Sequence, residues 1–147
     1  MKRQFQISKI ESHLLSQVFE IEKQCFASPF PESYLRSLAE TGSDSFFVAI
    51  EENRAVGYVS ALLHGNEAHV ASIAVLEDHR RRGIGRALMS ELIKALELRR
   101  VTAVSLEVRK SNTSAIGFYE SLGFERAGLM SSYYEDGEDA VVFSMKL

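Results

Sequence analysis

Hydrophobic residues recur along this chain with two periods, and the change from one to the other marks out its elements. Ile84, Leu88, Leu92 and Ala95 return every three or four residues, widened by Met89, Ile93 and Leu96, which predicts a one-faced amphipathic helix over 85–98. Leu14, Leu15, Val18, Phe19, Ile21 and Phe26 do the same over 11–26, with Ser12 as a candidate cap. Pro29 and Pro31, the only two prolines, end that helix in a stiff extended turn before another over 32–40. A fourth helix is predicted over 112–122, closed by Gly123 as a C′ glycine.

Between the helices the spacing shortens. Strands are predicted over 3–10, 45–50, 55–63, 67–76, 101–108, 124–130 and 140–147, the last with Val141, Phe143, Met145 and Leu147 on one face. The short connectors 51–54 and 64–66, and the turn around Glu135-Asp136-Gly137, predict antiparallel hairpins. Helix 85–98 is a crossover, so strand 101–108 is expected parallel to 67–76. The order β-α-α-β-β-β-α-β-α-β-β describes an α/β chain with one mixed, mostly antiparallel sheet and helices on both faces. With no repeat, linker or low-complexity stretch, residues 1–147 are expected to form a single domain.

Composition narrows the function. A chain of 147 residues, 46% hydrophobic and 25% charged, has enough material for a sizeable core. Its net charge of −3 argues against a general nucleic-acid binder. The single Cys25 cannot form an internal disulfide, and no apolar run approaches the ~20 residues of a membrane span, so a cytoplasmic protein is expected, without membrane or direct nucleic-acid partner. His13, His64, His69 and His79, taken with Cys25, have no zinc-like spacing, and no metal is expected.

Candidate chemistry begins at Arg80-Arg81-Arg82-Gly83-Ile84-Gly85-Arg86, set between strand 67–76 and helix 85–98. Arginines at a helix N-terminus oppose its dipole, which calls for an anion: a phosphate on the free backbone N–H groups, or Glu77 and Asp78 nearby. A P-loop needs Gly-Lys-Ser/Thr and a dinucleotide fingerprint a third glycine where Leu88 stands, so neither fits. Glycines at 83 and 85 let phosphates approach the backbone closely.

A second stretch runs from Leu106 to Phe124. Val104, Leu106 and Val108 face one way, leaving Glu107 on the other face with Ala103, Ser105 and Arg109. A carboxylate there is costly unless wet, paired or used, and Arg109 or another arginine is a candidate partner. Asn112 can cap the following helix, with Ala115 and Tyr119 on one side of it.

Arg80-x-x-Gly83-x-Gly85 and Asn112-x-x-Ala115-x-x-x-Tyr119-x-x-x-Gly123-Phe124 resemble the pyrophosphate loop and thioester-side segment of the GNAT superfamily of acetyl-CoA-dependent N-acyltransferases. Within it the chain is similar to RimI-type protein N-terminal acetyltransferases, through Ile73-Ala74-Val75, Leu106-Glu107-Val108-Arg109, Ser111-Asn112, Phe118 to Phe124, Tyr133-Tyr134 and Glu138-Asp139-Ala140. Met130-Ser131-Ser132 departs from the basic residue and asparagine that often precede the tyrosine pair.

The resemblance implies a GNAT-like fold and a transfer of acetyl from acetyl-CoA to the α-amino group of a protein N-terminus, ribosomal proteins being among the acceptors. It implies that the backbone of Ile73, Ala74 and Val75 holds the pantetheine arm, that Arg81, Arg82, Gly83, Ile84, Gly85 and Arg86 take the pyrophosphate, and that Asn112 bonds the cosubstrate near its reactive end. Glu107 is then the general base, directly or through water, and Tyr119 the general acid. Phe30, Tyr133 and Tyr134 are candidate acceptor walls, though Phe30 equally suits a connector and the tyrosines a cover over the sheet. Glu67 either assists Glu107 or is a solvated strand start, and Cys25 is expected to be inert. Acetylation of a small amine such as a polyamine, and a non-catalytic CoA-binding module on the same fold, are the alternative functions.

Overall fold

The β-branched and aromatic run of β3 (Arg54–His64) places it inside a seven-stranded sheet, between β2 (Phe46–Glu51) and β4 (Glu67–Val75). The computed structural model describes residues 4–147. Around these strands the chain adds β1 (Gln6–Lys9), α1 (Leu15–Cys25), α2 (Glu32–Thr41), α3 (Ile84–Leu98), β5 (Ala103–Arg109), α4 (Thr113–Ser121), β6 (Glu125–Met130) and β7 (Ala140–Lys146). The strand order is β1-β2-β3-β4-β5-β7-β6, and the expected succession of elements is observed. As predicted, β4 and β5 are parallel, and the other pairs are antiparallel. Glu52 and Asn53, both with positive φ (51° and 65°), close the β2–β3 hairpin in two residues, which matches the twist of the strands.

Two hydrophobic layers hold the sheet. Ile84, Leu88, Leu92 and Leu96 of α3 bury one face, together with Val104, Leu106 and Val108 and with Ile116 and Tyr119 of α4. Val18 and Ile21 of α1 and Leu35 and Leu38 of α2 cover the other, against Val48, Tyr58 and Ala74. Each such fully buried aliphatic side chain contributes about 1.5–3 kcal/mol.

Some boundaries differ from expectation. A 3-10 turn, Ser12–Leu14, precedes α1; Glu11 rather than Ser12 occupies the position before it, and the Leu14 N–H bonds to the Glu11 carbonyl (2.9 Å), so no hydroxyl cap forms. β5 begins at Ala103 because the Val101 N–H turns back to the Leu96 carbonyl (3.0 Å) to close α3. Gly123 lies past the end of α4 with φ +100°, in the C′ role expected of it. The expected start of β1 at Arg3 lies outside the described residues.

Two irregularities shape the site. The β3–β4 register passes from Ser60↔Ser72 to Ala61↔Val70, leaving Ala71 as an extra residue. Side chains therefore change sides there: Ala68 and Val70 pack toward α3, whereas Ala74 packs toward α1. Secondly, β4 and β5 pair only at Glu67↔Ala103, Ala68↔Val104 and His69↔Ser105, and beyond those rungs they part. Leu76 donates its N–H to Val56 of β3, so by alternation Ser72 and Ala74 also turn their backbone groups to β3, while Ile73 and Val75 turn theirs into the fork.

Candidate active site

The alternating burial of β5 puts Val104, Leu106 and Val108 into the α3-side core and sends Glu107 to the opposite face. His69 of β4, one residue before the bulge and flanked by the inward Ala68 and Val70, reaches the same face. Its Nε2 lies 2.6 Å from Glu107 Oε1, and the Tyr133 hydroxyl donates to that oxygen at 3.2 Å. The half-buried carboxylate is thus paired, but by histidine rather than by the arginine expected from sequence. The His69 hydrogen bond holds the Glu107 carboxyl below its usual range, and the same bond raises the His69 imidazole above its own. Arg109 goes elsewhere: it donates to Asp136 (2.8 Å) and Glu138 (2.9 Å) and lies 4.1 Å from the centre of the Tyr134 ring.

Tyr119 sits on the other side of β5, among Phe118, Phe124 and Phe143. Burial there pushes its phenol well above the ordinary value, so the hydroxyl stays protonated. Asn112 caps α4 through its Oδ1, which accepts from the Ala115 N–H at 3.1 Å, and its amide N–H2 remains a donor at the fork end of the helix. Glu67 is exposed at the start of β4. Cys25, the last residue of α1, donates to the Val75 carbonyl at 3.5 Å, and burial pushes its thiol up, as expected of an unreactive cysteine.

In the basic loop, Arg81 (φ +63°) and Gly83 (φ +83°) adopt left-handed turns that deliver the chain into α3. The first intrahelical bond runs from the Ala87 N–H to the Gly83 carbonyl, which leaves the N–H groups of Ile84, Gly85 and Arg86 directed out of the helix start. The guanidiniums diverge. Arg80 donates to the Val75 carbonyl (2.9 Å), Arg82 clasps Glu51 with both terminal nitrogens (2.5 and 3.3 Å), and Arg86 donates to Ser121 (3.1 Å). The carboxylate that pairs with Arg82 is Glu51, from a distant strand, and not Glu77 or Asp78. The glycines also have local reasons. Gly83 needs its positive φ, and a Cβ on Gly85 would stand 3.2 Å from the Phe118 ring.

Of the candidate acceptor residues, Phe30 has its ring 4.7 Å from that of Tyr34, and Tyr133 and Tyr134 form a perpendicular pair 5.0 Å apart, with the Tyr133 hydroxyl on Glu107. Sequence reasoning missed two residues. Glu22 is buried, yet it occupies a stripe position between Val18 and Phe26, where a charge signals a buried partner. His69 gave no such signal, because only the β4–β5 register sets it beside Glu107. Among the described residues no group of three or more His, Cys, Asp or Glu is placed to hold a metal ion, and no helix is long and apolar enough to cross a membrane.

Comparisons with known proteins agree with this geometry. The family model described as the acetyltransferase (GNAT) family matches residues 15–124. A [ribosomal protein bS18]-alanine N-acetyltransferase of Escherichia coli strain K12 is 35% identical over 146 residues, covering 96% of this chain and 97% of that protein. An N-alpha-acetyltransferase of Sulfurisphaera tokodaii is 34% identical, covering 90% of this chain and 87% of that protein. The crystal structure of the ribosomal-protein-S18-alanine N-acetyltransferase from Escherichia coli superposes with a TM-score of 0.86 at 36% identity, over 97% of this chain and 93% of the other. A fork between parallel strands, a basic loop opening a helix and a match over most of the chain therefore assign this protein to the acetyltransferase (GNAT) family, as an acetyl-CoA-dependent N-acetyltransferase of RimI-like type.

Proposed function

We propose that the protein transfers the acetyl group of acetyl-CoA to the α-amino group of a protein or peptide N-terminus, with a ribosomal protein among its acceptors. The observation that carries this reading is the fork: the β4 edge at Ile73 and the Val75 N–H, no longer paired with β5, lies beside Glu107 and His69 on one face, with Tyr119 across β5 on the other, while the Val75 carbonyl is held by Arg80. The relatives named for N-terminal acceptors support the choice of amine.

The chain's own groups divide the work. Ile73 and Val75 bind the pantetheine amides as a further strand would, and one of their N–H groups polarises the thioester carbonyl. The N–H groups of residues 81–86 hold the pyrophosphate, with Arg81 free of the ion pair that turns Arg82 aside. Asn112 donates to the cosubstrate near its acetyl end. An α-amine has a pKa of roughly 7.7–8.0, so a proton must leave before or as nitrogen attacks the carbonyl carbon. The Glu107–His69 pair takes that proton and titrates as one unit, directly or through water. The C–N bond forms, the tetrahedral oxyanion collapses, the C–S bond breaks, and Tyr119 supplies a proton to the leaving sulfur. Burial raises the phenol pKa, which keeps the proton on Tyr119 until the thiolate leaves. Phe30, Tyr133 and Tyr134 line the acceptor's path.

The test is mass spectrometry of N-terminal peptides and small amines incubated with acetyl-CoA. N-terminal acetylation is expected; modification only of lysine side chains or small amines overturns the assignment. Glu107→Gln and Tyr119→Phe are each expected to lower kcat by roughly 100-fold while acetyl-CoA affinity, by calorimetry, stays unchanged. Undiminished turnover removes that residue from its role.

A further inference from the structure

Glu22 stands outside the machinery described so far, and its surroundings are unusual. It is a carboxylate of α1 only 2% exposed. Tyr58 of β3 donates its hydroxyl to Glu22 Oε1, and the Ser72 hydroxyl of β4 lies 3.3 Å from the same oxygen and 2.8 Å from the Tyr58 hydroxyl. The other oxygen, Oε2, accepts the backbone N–H of Phe30 at 2.8 Å. Burying a charge merely to fasten a helix to a sheet is a poor use of it, because an apolar residue of the same size does this at lower cost. What an apolar residue cannot do is hold the Phe30 amide. Pro29 and Pro31 have no N–H, so this amide is the one main-chain donor of the Pro-Phe-Pro segment. The far end of the network, Ser72, directly precedes Ile73 at the fork.

We propose that Glu22 is a positioning residue for acceptor selection: its carboxylate ties the Phe30 wall to the strand beside the thioester, and so fixes the space left for the acceptor's first side chain. This rests on the N-terminal acetyltransferase reading above. An aromatic wall held on both sides by prolines and from below by a carboxylate does not yield to a bulky side chain. Released, it does.

The experiment compares the wild type with Glu22→Gln, Phe30→Ala and the double variant, on peptides that differ only in beginning with Ala or Leu. In Glu22→Gln the ratio of kcat/KM for the Leu peptide to that for the Ala peptide is expected to rise about tenfold. KM for the better peptide rises while its kcat changes less than about threefold. Adding Glu22→Gln to Phe30→Ala is expected to move the ratio no further, since both act on one wall. Hydrogen exchange of the Phe30 amide, measured without any acceptor, is expected to quicken by about tenfold in Glu22→Gln, with amides of β5 and α4 unchanged. If Glu22→Gln fails to fold, Glu22→Met/Tyr58→Phe removes the charge together with its main donor and carries the same measurements. A selectivity ratio within twofold of wild type overturns the proposal, as does unaltered Phe30 exchange. Failure of the wild type to acetylate any N-terminal peptide instead overturns the reading beneath it, and the exchange measurement still decides whether the tether exists.

Discussion

The pairing of Glu107 with His69 shows how one contact sets two proton affinities in opposite directions. The imidazole, raised above its ordinary 6.5 by the Glu107 hydrogen bond, stays charged to a higher pH than usual, whereas the carboxyl, lowered from 4.5, stays ionised to a lower one. A raised histidine stabilises the fold below its unfolded pKa and loses that contribution as pH rises through the folded value; a lowered carboxyl contributes above its unfolded pKa and loses it as pH falls. The pair is therefore strongest between about pH 4.5 and 6.5. In chemical denaturation, His69→Gln is expected to cost about 1 kcal/mol in that window, with the difference shrinking above it, because both side chains keep some solvent contact. The same sign governs catalysis. If the pair is the base, as proposed, it must be unprotonated, so the acidic limb of the kcat profile is expected above 6.5 in the wild type and to move down in Glu107→Gln. Glu107 and Tyr119 stand out as candidates from motif spacing, since each lies within a contiguous run of characteristic residues. The pairings of His69 with Glu107 and of Glu22 with Tyr58 were not legible there, because these partners are 38 and 36 residues apart and meet only through strand register and helix packing.

At the level of elements, the proposed acceptor side is organised by a clasp between loops. Arg109, at the end of β5, holds Asp136 and Glu138 of the β6–β7 connection and covers the Tyr134 ring, while Glu138 also accepts the Ser111 N–H (2.8 Å) beside the Asn112 cap. The two tyrosines are thereby indexed to the N-terminus of α4. Arg109→Met is expected to raise acceptor KM by up to about fivefold and to leave acetyl-CoA affinity alone, an effect that diminishes in wild type as salt screens the ion pairs. Helices and hairpins of this chain were legible from periodicity and turn chemistry; where boundaries moved, a local hydrogen bond decided, as when Val101 closes α3 instead of opening β5. The clasp itself was hidden. In sequence Arg109 is one candidate partner for its strand neighbour Glu107, and only the fold of the 131–139 turn offers it Asp136 and Glu138 instead.

Across the whole molecule, stability resides mainly in the layer between the sheet and α3. Leu88, Leu92 and Leu96 are fully enclosed there, and Leu92→Ala is expected to cost about 2–5 kcal/mol, read as a lowered Tm with unchanged acceptor preference. The hairpins and the parallel β4–β5 pair followed from the short connectors and the crossover helix, whereas the insertion of β7 between β5 and β6 did not. The point where β4 and β5 separate did not, because it depends on a bulge at Ala71 that no residue type announces. That separation leaves β4 a strand of two characters. Its even-numbered N–H groups beyond the bulge face β3, and its odd-numbered ones point away from it into the fork. In deuterated solvent Ile73 and Val75 are expected to exchange quickly while Ser72 and Ala74 between them stay shielded, a striped pattern that fades to uniform protection once the acyl donor completes the missing rung.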